Sequence, residues 1–460
     1  MIKKIVYLLC VGLFVPIYAE LQRECLIDTC MTHHVQFIEY CFSDFLGKRK
    51  AIIRPIEFLE KDLENGVSFD GSSIEGCMRI TKSDMLLMPD VEATVRKLPW
   101  TYDHTSMVRV MCTMHTDKDM PYMSDPRAIL KREHDALREI GYELLVGPEI
   151  EFYAFEQTAK NKRLKPIDRG TYADGINNIA LENSLITIVH LLNQVGLKVR
   201  AMHHEVGQGQ FETSLEHDNA LRIADDLVTA KHALPLLFEN YNKIVSFMPK
   251  PLTGKPGSGM HLNFSLFDLN SSSNAFYDEF DENHLSVVAK AFIAGVLKHV
   301  AEFTLLMNPT VNSYKRLGGH EAPKFICCGS RNRSALVRFP YCAQPEYVRA
   351  EIRSPDALCN PYLVFAAIIR AGMEGIKQGY DLPEIIDENL YAVSEEFVKS
   401  KNIQFLPQTM HEALCAFEES NLMRELLGDA LFSSIIDYKR AELDSFANTV
   451  TDWELEQYLR

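Results

Sequence analysis

Several stretches of this sequence gather residues able to concentrate charge at one place. In V-G-P-E-I-E-F-Y, Glu149 and Glu151 lie two apart, so on a strand both carboxylates point to one face and Ile150 to the other. Two acids aimed at one space repel each other unless a cation lies between them, and hard oxygen ligands on a rigid strand suit Mg²⁺ or Mn²⁺. An isolated E-x-E is more often a solvated edge strand, so the weight of this pair depends on its company. In M-H-H-E-V-G-Q-G-Q-F-E, Glu205 and Glu212 are seven apart, which would split them across an uninterrupted strand. Gly207 and Gly209 allow a bulge or turn there that returns Glu212 to the side of Glu205.

Further on, K-P-L-T-G-K-P-G-S-G-M-H-L-N-F-S-L reads as a glycine-rich loop entering a strand on which His261, Asn263 and Ser265 share one face. It lacks the spacing and following helix of a P-loop, so ATP bound here is held in another way. Arg316, Arg331, Arg333 and Arg338 cluster in an otherwise acidic chain. Guanidinium groups match carboxylate and phosphate oxygens, and surface ion pairing is the plainer use of them. R-A-E-I-R-S-P-D then puts Glu351 and Arg353 on one strand face, and N-P-Y-L-V-F-A-A-I-I-R-A-G opens a buried helix. Carboxylates, a histidine and arginines on strands are what divalent metals bridging nucleotide phosphates require, although they do not specify the substrate.

Elements of two kinds must position these groups. At 460 residues and 47% hydrophobic, the chain exceeds one compact core, and two unequal domains are expected. Residues 21–122 mix short β-like runs such as V-Q-F-I-E-Y-C-F with the turn-rich F-D-G-S-S-I-E-G, which predicts a small mixed domain. Residues 123–460 alternate amphipathic helical stretches, such as P-R-A-I-L-K-R-E-H-D-A-L-R-E, with β-like runs, which predicts a large α+β domain. The region N-K-R-L-K-P-I-D-R-G reads as an exposed loop. Residues 1–20 carry Lys3 and Lys4 before a hydrophobic run, and read either as a signal peptide ending at Ala19 or as an extension from an upstream start. A net charge of -15 argues against a nucleic-acid partner. Eleven cysteines without a C-x-x-C spacing indicate neither zinc nor a disulfide framework and fit a reducing compartment.

Taken in order from about residue 35 to the end, these blocks resemble class I glutamine synthetase of the alpha, bacterial-like subclass. The resemblance implies an α+β fold with a small N-terminal β-grasp-like domain and a catalytic domain built on a curved antiparallel sheet. It implies a homo-oligomer, a dodecamer of two stacked hexameric rings, with active sites between subunits. The activity implied is ATP-dependent joining of ammonia to glutamate through γ-glutamyl phosphate. Carried over by residue, Glu151, Glu205 and Glu212 would hold one Mg²⁺ or Mn²⁺ ion, and Glu149, His261 and Glu351 a second. Gly257, Arg316, Glu321 and Arg353 would hold glutamate, and Asn263, Ser265, Arg333, Arg338 and Arg349 the nucleotide. Asp44 of an adjacent subunit would bind ammonium with Tyr172 and Glu321, and Glu321 would close as a flap that keeps water from the acyl phosphate. Asp44, Glu321 and Arg333 are thus the expected catalytic residues.

The chain departs from that family at several points. Pro256 stands where Asn is usual before G-S-G-M-H, and the flap R-L-G-G-H-E-A-P is one residue shorter, with His320 in place of Tyr. Arg79 matches the position linked to glutamine feedback, while the surroundings of Tyr391 depart from the adenylylation motif. A ligase of the same fold that joins glutamate to a polyamine or other amine is the nearest rival, favoured by Pro256 and opposed by Asp44, Tyr172 and Glu321. A non-catalytic structural or regulatory relative would be expected to shed metal ligands, and all six are present. Since ATP and reduced thiols are cytosolic resources, the expected compartment is the cytoplasm, with no membrane partner.

Overall fold

The computed structural model describes residues 21–76, 83–93, 95–100, 106–157, 164–175 and 178–459. The hydrophobic stretch 1–20 and Arg79 lie outside the described residues. Within them, a first sheet is built from β1 (Phe37–Ser43), β2 (Arg49–Pro55), β3 (Val67–Asp70), β4 (Asp84–Pro89) and β5 (Met107–Asp117), in the order β2-β1-β5-β4-β3. β1 runs parallel to β5, and the other pairs in that path are antiparallel. Alternate residues of β1 and β5, among them Ile38, Tyr40, Val108 and Val110, form a core closed by Leu26 and Cys30 from the helix at 21–32.

The second sheet positions the chemistry. Its strands are β6 (Tyr142–Glu156), β7 (Val199–His204), β8 (Gln210–Leu215), β9 (Met260–Asp268), β10 (Cys328–Ser330), β11 (Val337–Phe339) and β12 (Ala350–Ile352). They run in the order β10-β11-β12-β9-β6-β8-β7, antiparallel except for the β10–β11 pair. One face is apolar: Ile150, Phe152, Leu262 and Phe264 are buried among residues of α1 (Pro126–Glu139), α2 (Ile179–Gln194), α3 (Ala220–Glu239), α4 (Val287–Met307) and α5 (Pro361–Gln378). α1 and α5 begin as their sequences predict. Asp125 accepts from Arg127 N, Asn360 accepts from Tyr362 N, and each cap is followed by proline at the first helical position. α5 ends at Gly379 in the left-handed conformation.

Between the two sheets lies a buried layer of ion pairs. Arg127 meets Asp225 with two nitrogens at 3.0 and 2.9 Å and Asp90 with a third at 2.7 Å. Arg96 pairs with Asp226, and Arg109 with Glu39. No helix among the described residues is long and apolar enough to cross a membrane. One expectation needs correction. In the part of the 161–170 region that is described, Pro166 bridges to Phe155, Ile167 packs against the core, and Asp168 bonds His204, so this segment is docked onto the sheet.

Candidate active site

The polar face of the second sheet follows from its register. β9 sets His261 opposite Glu149 on β6, and β8 sets Glu212 opposite Glu151. β12 sets Glu351 opposite Asn263, and Arg338 on β11 lies opposite Glu351. His203 on β7 lies opposite Glu212. A turn does separate Glu205 from Glu212: Gln210 N bonds Gly207 O, Glu205 N bonds Gln210 O, and Gly209 takes φ +69°. A side chain at Gly209 would also meet the Ala154 carbonyl at 2.8 Å, so only glycine fits this turn.

The donors converge without satisfying one another. His261 Nδ1 lies 3.5 Å from Glu149 and 3.8 Å from Glu351, and its Nε2 lies 3.7 Å from Glu151. One ligand atom each from Glu149, Glu212 and His261 lie mutually within 4.8 Å, as do atoms from His203, Glu205 and Glu212. This grouping differs from the expected division of the six residues, because Glu212 belongs to both sets and His203 joins the second. Glu151 accepts from Gly259 N at 2.7 Å, while Glu351 is clasped by Arg338 at 2.7 Å and by Arg353.

Charge crowding shows in the titration of these groups. Burial, then the charges of Glu151 and Glu212, push the Glu205 carboxyl up to about 7. The hydrogen bond to Glu212 raises His203 to about 9. Burial would raise Glu351, but Arg353, His261 and Arg338 outweigh it and hold that carboxyl down at about 2. A set of carboxylates and imidazoles short of positive charge has the donor chemistry that fits divalent cations.

Around this cluster stand the expected anion-handling residues. A cleft of about 700 Å³ is lined by Glu149, Asn263, Ser265 and Arg349, together with His217 and Tyr347. Arg349 Nε donates to Asn263 Oδ1 at 2.8 Å, and Asn263 in turn donates to Glu149 at 3.0 Å. Arg316 is buried, with its terminal nitrogens donating to the carbonyls of Ser354 and Arg353 at 2.8 and 2.9 Å. Gly257 packs against it, and a Cβ there would meet Arg316 Cγ at 2.7 Å. Arg353 donates to the carbonyls of Arg333 and Glu321 at 3.1 and 3.2 Å. Arg333 reaches the Glu321 carboxylate at 3.4 Å. His320 and Glu321 take φ +48° and +66°, so the short flap loop puts two consecutive non-glycine residues in the left-handed region.

Family comparisons agree with this arrangement. Residues 123–458 match the family model of the glutamine synthetase catalytic domain, and residues 34–117 that of the glutamine synthetase beta-Grasp domain. The chain belongs to the glutamine synthetase family. It is 39% identical over 444 residues to the glutamine synthetase of Clostridium saccharobutylicum, covering 96% of this chain and 99% of the relative. The Methanocaldococcus jannaschii glutamine synthetase is also 39% identical, over 96% of this chain and 98% of its own length. Among solved structures, a GmaS/ADP complex superimposes with a TM-score of 0.84 at 28% identity, over 94% of this chain and 99% of that one. As a member of the glutamine synthetase family, the chain is a ligase with a beta-grasp N-terminal domain.

Two placements change the glutamine synthetase reading. Asp44 is only 1% exposed. Its carboxylate accepts from Lys48 N at 2.9 Å and faces Lys50 at 3.5 Å, and Asn360 donates to its carbonyl, so within this chain it is enclosed. Tyr172, by contrast, is exposed and meets His203 edge-on at 5.5 Å, beside the carboxylates. Sequence reasoning missed His203 and Asp168. Asp168 accepts from His204 at 2.8 Å and from Gly209 N at 2.9 Å, and so fixes the turn that carries Glu205. Pairing β7 with β8 would have revealed His203, since it falls opposite Glu212.

Proposed function

We propose that this ligase joins ammonia to the side-chain carboxylate of glutamate, with ATP as cosubstrate and glutamine, ADP and phosphate as products. The observation that carries the reading is the carboxylate and imidazole cluster lying between the cleft at Arg349 and the rim formed by Arg333, Arg338 and Arg353. Glu149, Glu212 and His261, and His203, Glu205 and Glu212, would hold Mg²⁺ or Mn²⁺, with Glu151 and Glu351 alongside. Bound divalent ions supply neutralisation of phosphate charge. The GmaS/ADP complex, a relative of the same shape, supports a nucleotide as ligand, and the cleft at Asn263, Ser265 and Arg349 has the room and the cation for it.

In this reading Arg316, Gly257 and Arg353 orient glutamate, whose carboxylate oxygen attacks the γ-phosphorus of ATP and releases ADP. Arg333 and Arg338 oppose the charge on the transferred group. Ammonia then attacks the acyl carbon and phosphate leaves. Glu321 covers the acyl phosphate, and Tyr172 borders the ammonium position. The acid that takes the ammonium proton must be ionised and accessible. Asp70, in the F-D-G-S-S turn, meets that requirement better than Asp44: it is exposed, and hydrogen bonds from Ser72 and Ser73 hold its carboxyl below the usual range. It would act on the site of another copy in a ring-shaped homo-oligomer. The cytoplasm is the compartment this chemistry needs.

Pro256 favours a second reading, since its carbonyl accepts from Tyr153 at 2.8 Å and so fixes the loop leading to Gly257. There the nucleophile would be an amine. Phosphate release with glutamate, ATP and Mg²⁺, compared among ammonia, putrescine and ethanolamine, separates the two. Ammonia-dependent release with glutamine as product supports the first reading, and release only with an amine overturns it. Asp70→Ala is expected to raise the ammonia KM far more than Asp44→Ala.

A further inference from the structure

A second cavity, of about 570 Å³, opens at the seam where the β1–β2 turn meets α3 and the long C-terminal helix α6 (Asn421–Ala447). Its lining carries four cationic side chains, Lys48, Arg49, Lys231 and Lys439, against the single acid Glu442. Two of the four are neutralised. Arg49 faces Glu39 at 3.0 Å, and Lys439 faces Glu442 at 2.9 Å. Lys231 and Lys48 are not, since neither ammonium has a carboxylate oxygen within 4.0 Å among the described residues. Lys231 Nζ donates to the Cys359 carbonyl at 2.8 Å, which leaves two of its three N–H donors for something else.

Holding an ammonium inside a protein is costly, and burial lowers the Lys231 pKa although Asp356 and Asp44 act against that at longer range. His232, the next residue, adds no negative charge. Its Nδ1 lies 2.9 Å from Arg109 Nη2, and burial with the charges of Arg49 and Arg109 presses its pKa down to about 3. The cavity therefore combines room for a small organic molecule, a positive wall and spare buried donors.

From this geometry we infer that the cavity at Lys48, Lys231 and Lys439 is a binding site for a small multivalent oxyanion, a phosphate or polycarboxylate, separate from the nucleotide cleft. Lys231 supplies two hydrogen bonds from below, and Lys48 closes over the ligand from the exposed side of the turn. A ligand there would touch the segment Ala357–Leu358, which lies a few residues past the end of β12, the strand bearing Glu351. The β1–β2 turn is tied to that same segment, since Asn360 donates to the carbonyls of Asp44 and Phe45 at 3.1 Å. The site would thus sit on the tether joining the first sheet to the catalytic strands.

The test is lysine acetylation of the full-length protein, read residue by residue by mass spectrometry, with ADP and Mg²⁺ saturating the nucleotide cleft. Inorganic phosphate and citrate form separate arms and identify which oxyanion binds. Acetylation of Lys48 is expected to slow at least about fivefold with one of them, while exposed Lys399 is unaffected, and Lys231→Met should abolish the protection. Equal protection of Lys48 and Lys399, no protection by either anion, or protection that survives Lys231→Met would overturn the inference. Should Lys231→Met fail to fold, Lys48→Ala carries the test through equilibrium dialysis with radiolabelled phosphate and citrate. Loss of one bound anion per chain supports the site, and unchanged stoichiometry and affinity overturn it.

Discussion

Two regions of this molecule bury the same residue types and use them in opposite ways. At the seam between the sheets, Arg127 faces Asp225 and Asp90 at 2.7 to 3.0 Å, and Tyr362 adds a hydrogen bond to Asp225 at 2.7 Å. Arg96 meets Asp226 and Arg109 meets Glu39, so each charge has its opposite in contact. On the polar face of the second sheet, His261 stands 3.5 to 3.8 Å from three carboxylates, and Glu205 is crowded by Glu151 and Glu212. Burial and charge alone do not distinguish structural from functional acids. The sign of the neighbours does: each seam carboxylate faces a guanidinium, whereas Glu151, Glu205 and Glu212 crowd one another, an arrangement that a bound cation relieves.

The comparison breaks if the seam tolerates loss of charge or the polar face does not need it. Asp225→Ala strands Arg127 in the interior, and should lower the free energy of unfolding by about 3–5 kcal/mol in a denaturant titration. Glu212→Gln should do the reverse, with activity down roughly 10²–10³-fold, about 2.7–4 kcal/mol of transition-state stabilisation, and stability of the metal-free protein unchanged or raised. Glu321→Ala should cost roughly 10-fold or more in ammonia use and let water consume the acyl phosphate, seen as phosphate release without glutamine. Arg349→Ala should raise the ATP KM by about 10-fold, one lost charged contact, with kcat little changed.

The smallest expected effect is a pH dependence that sharpens the contrast. A carboxyl whose folded pKa is raised favours folding at low pH and loses that contribution as pH climbs from its unfolded to its folded value. For Glu205, facing Glu151, Glu212 and His203, that window runs from 4.5 to about 7. His203, raised from 6.5 to about 9, stabilises the fold below that range and loses its contribution across it. Both shifts make the metal-free protein melt earlier as pH rises from 5 to 9. Added Mg²⁺ should cancel the trend in the wild type and leave it in Glu212→Gln.

Much of the polar face was legible because strand periodicity is local. Glu149 with Glu151, and His261 with Asn263, follow from a period of two, and the glycines between Glu205 and Glu212 announced their turn. His203 was illegible because its place depends on the register between β7 and β8. The burial of Asp44 was illegible because it comes from long-range packing, including the bond from Asn360, which lies 316 positions away. The seam was silent for the same reason: Arg127 and Asp225 are 98 residues apart, and no pattern of either helix announces that they meet. Membership of the glutamine synthetase family was readable from the order of the blocks. The way the carboxylates and histidines divide into overlapping sets required the folded sheet.

The central claim is that the unsatisfied cluster holds divalent cations. Its most direct test is electron paramagnetic resonance of Mn²⁺ titrated into nucleotide-free protein at pH 8. Free Mn²⁺ should remain undetected until about two ions per chain are bound, and Glu212→Gln, which touches both donor sets, should shift that onset toward zero. A free-ion signal rising from the first addition to the wild type, or the same onset in Glu212→Gln, would contradict the account.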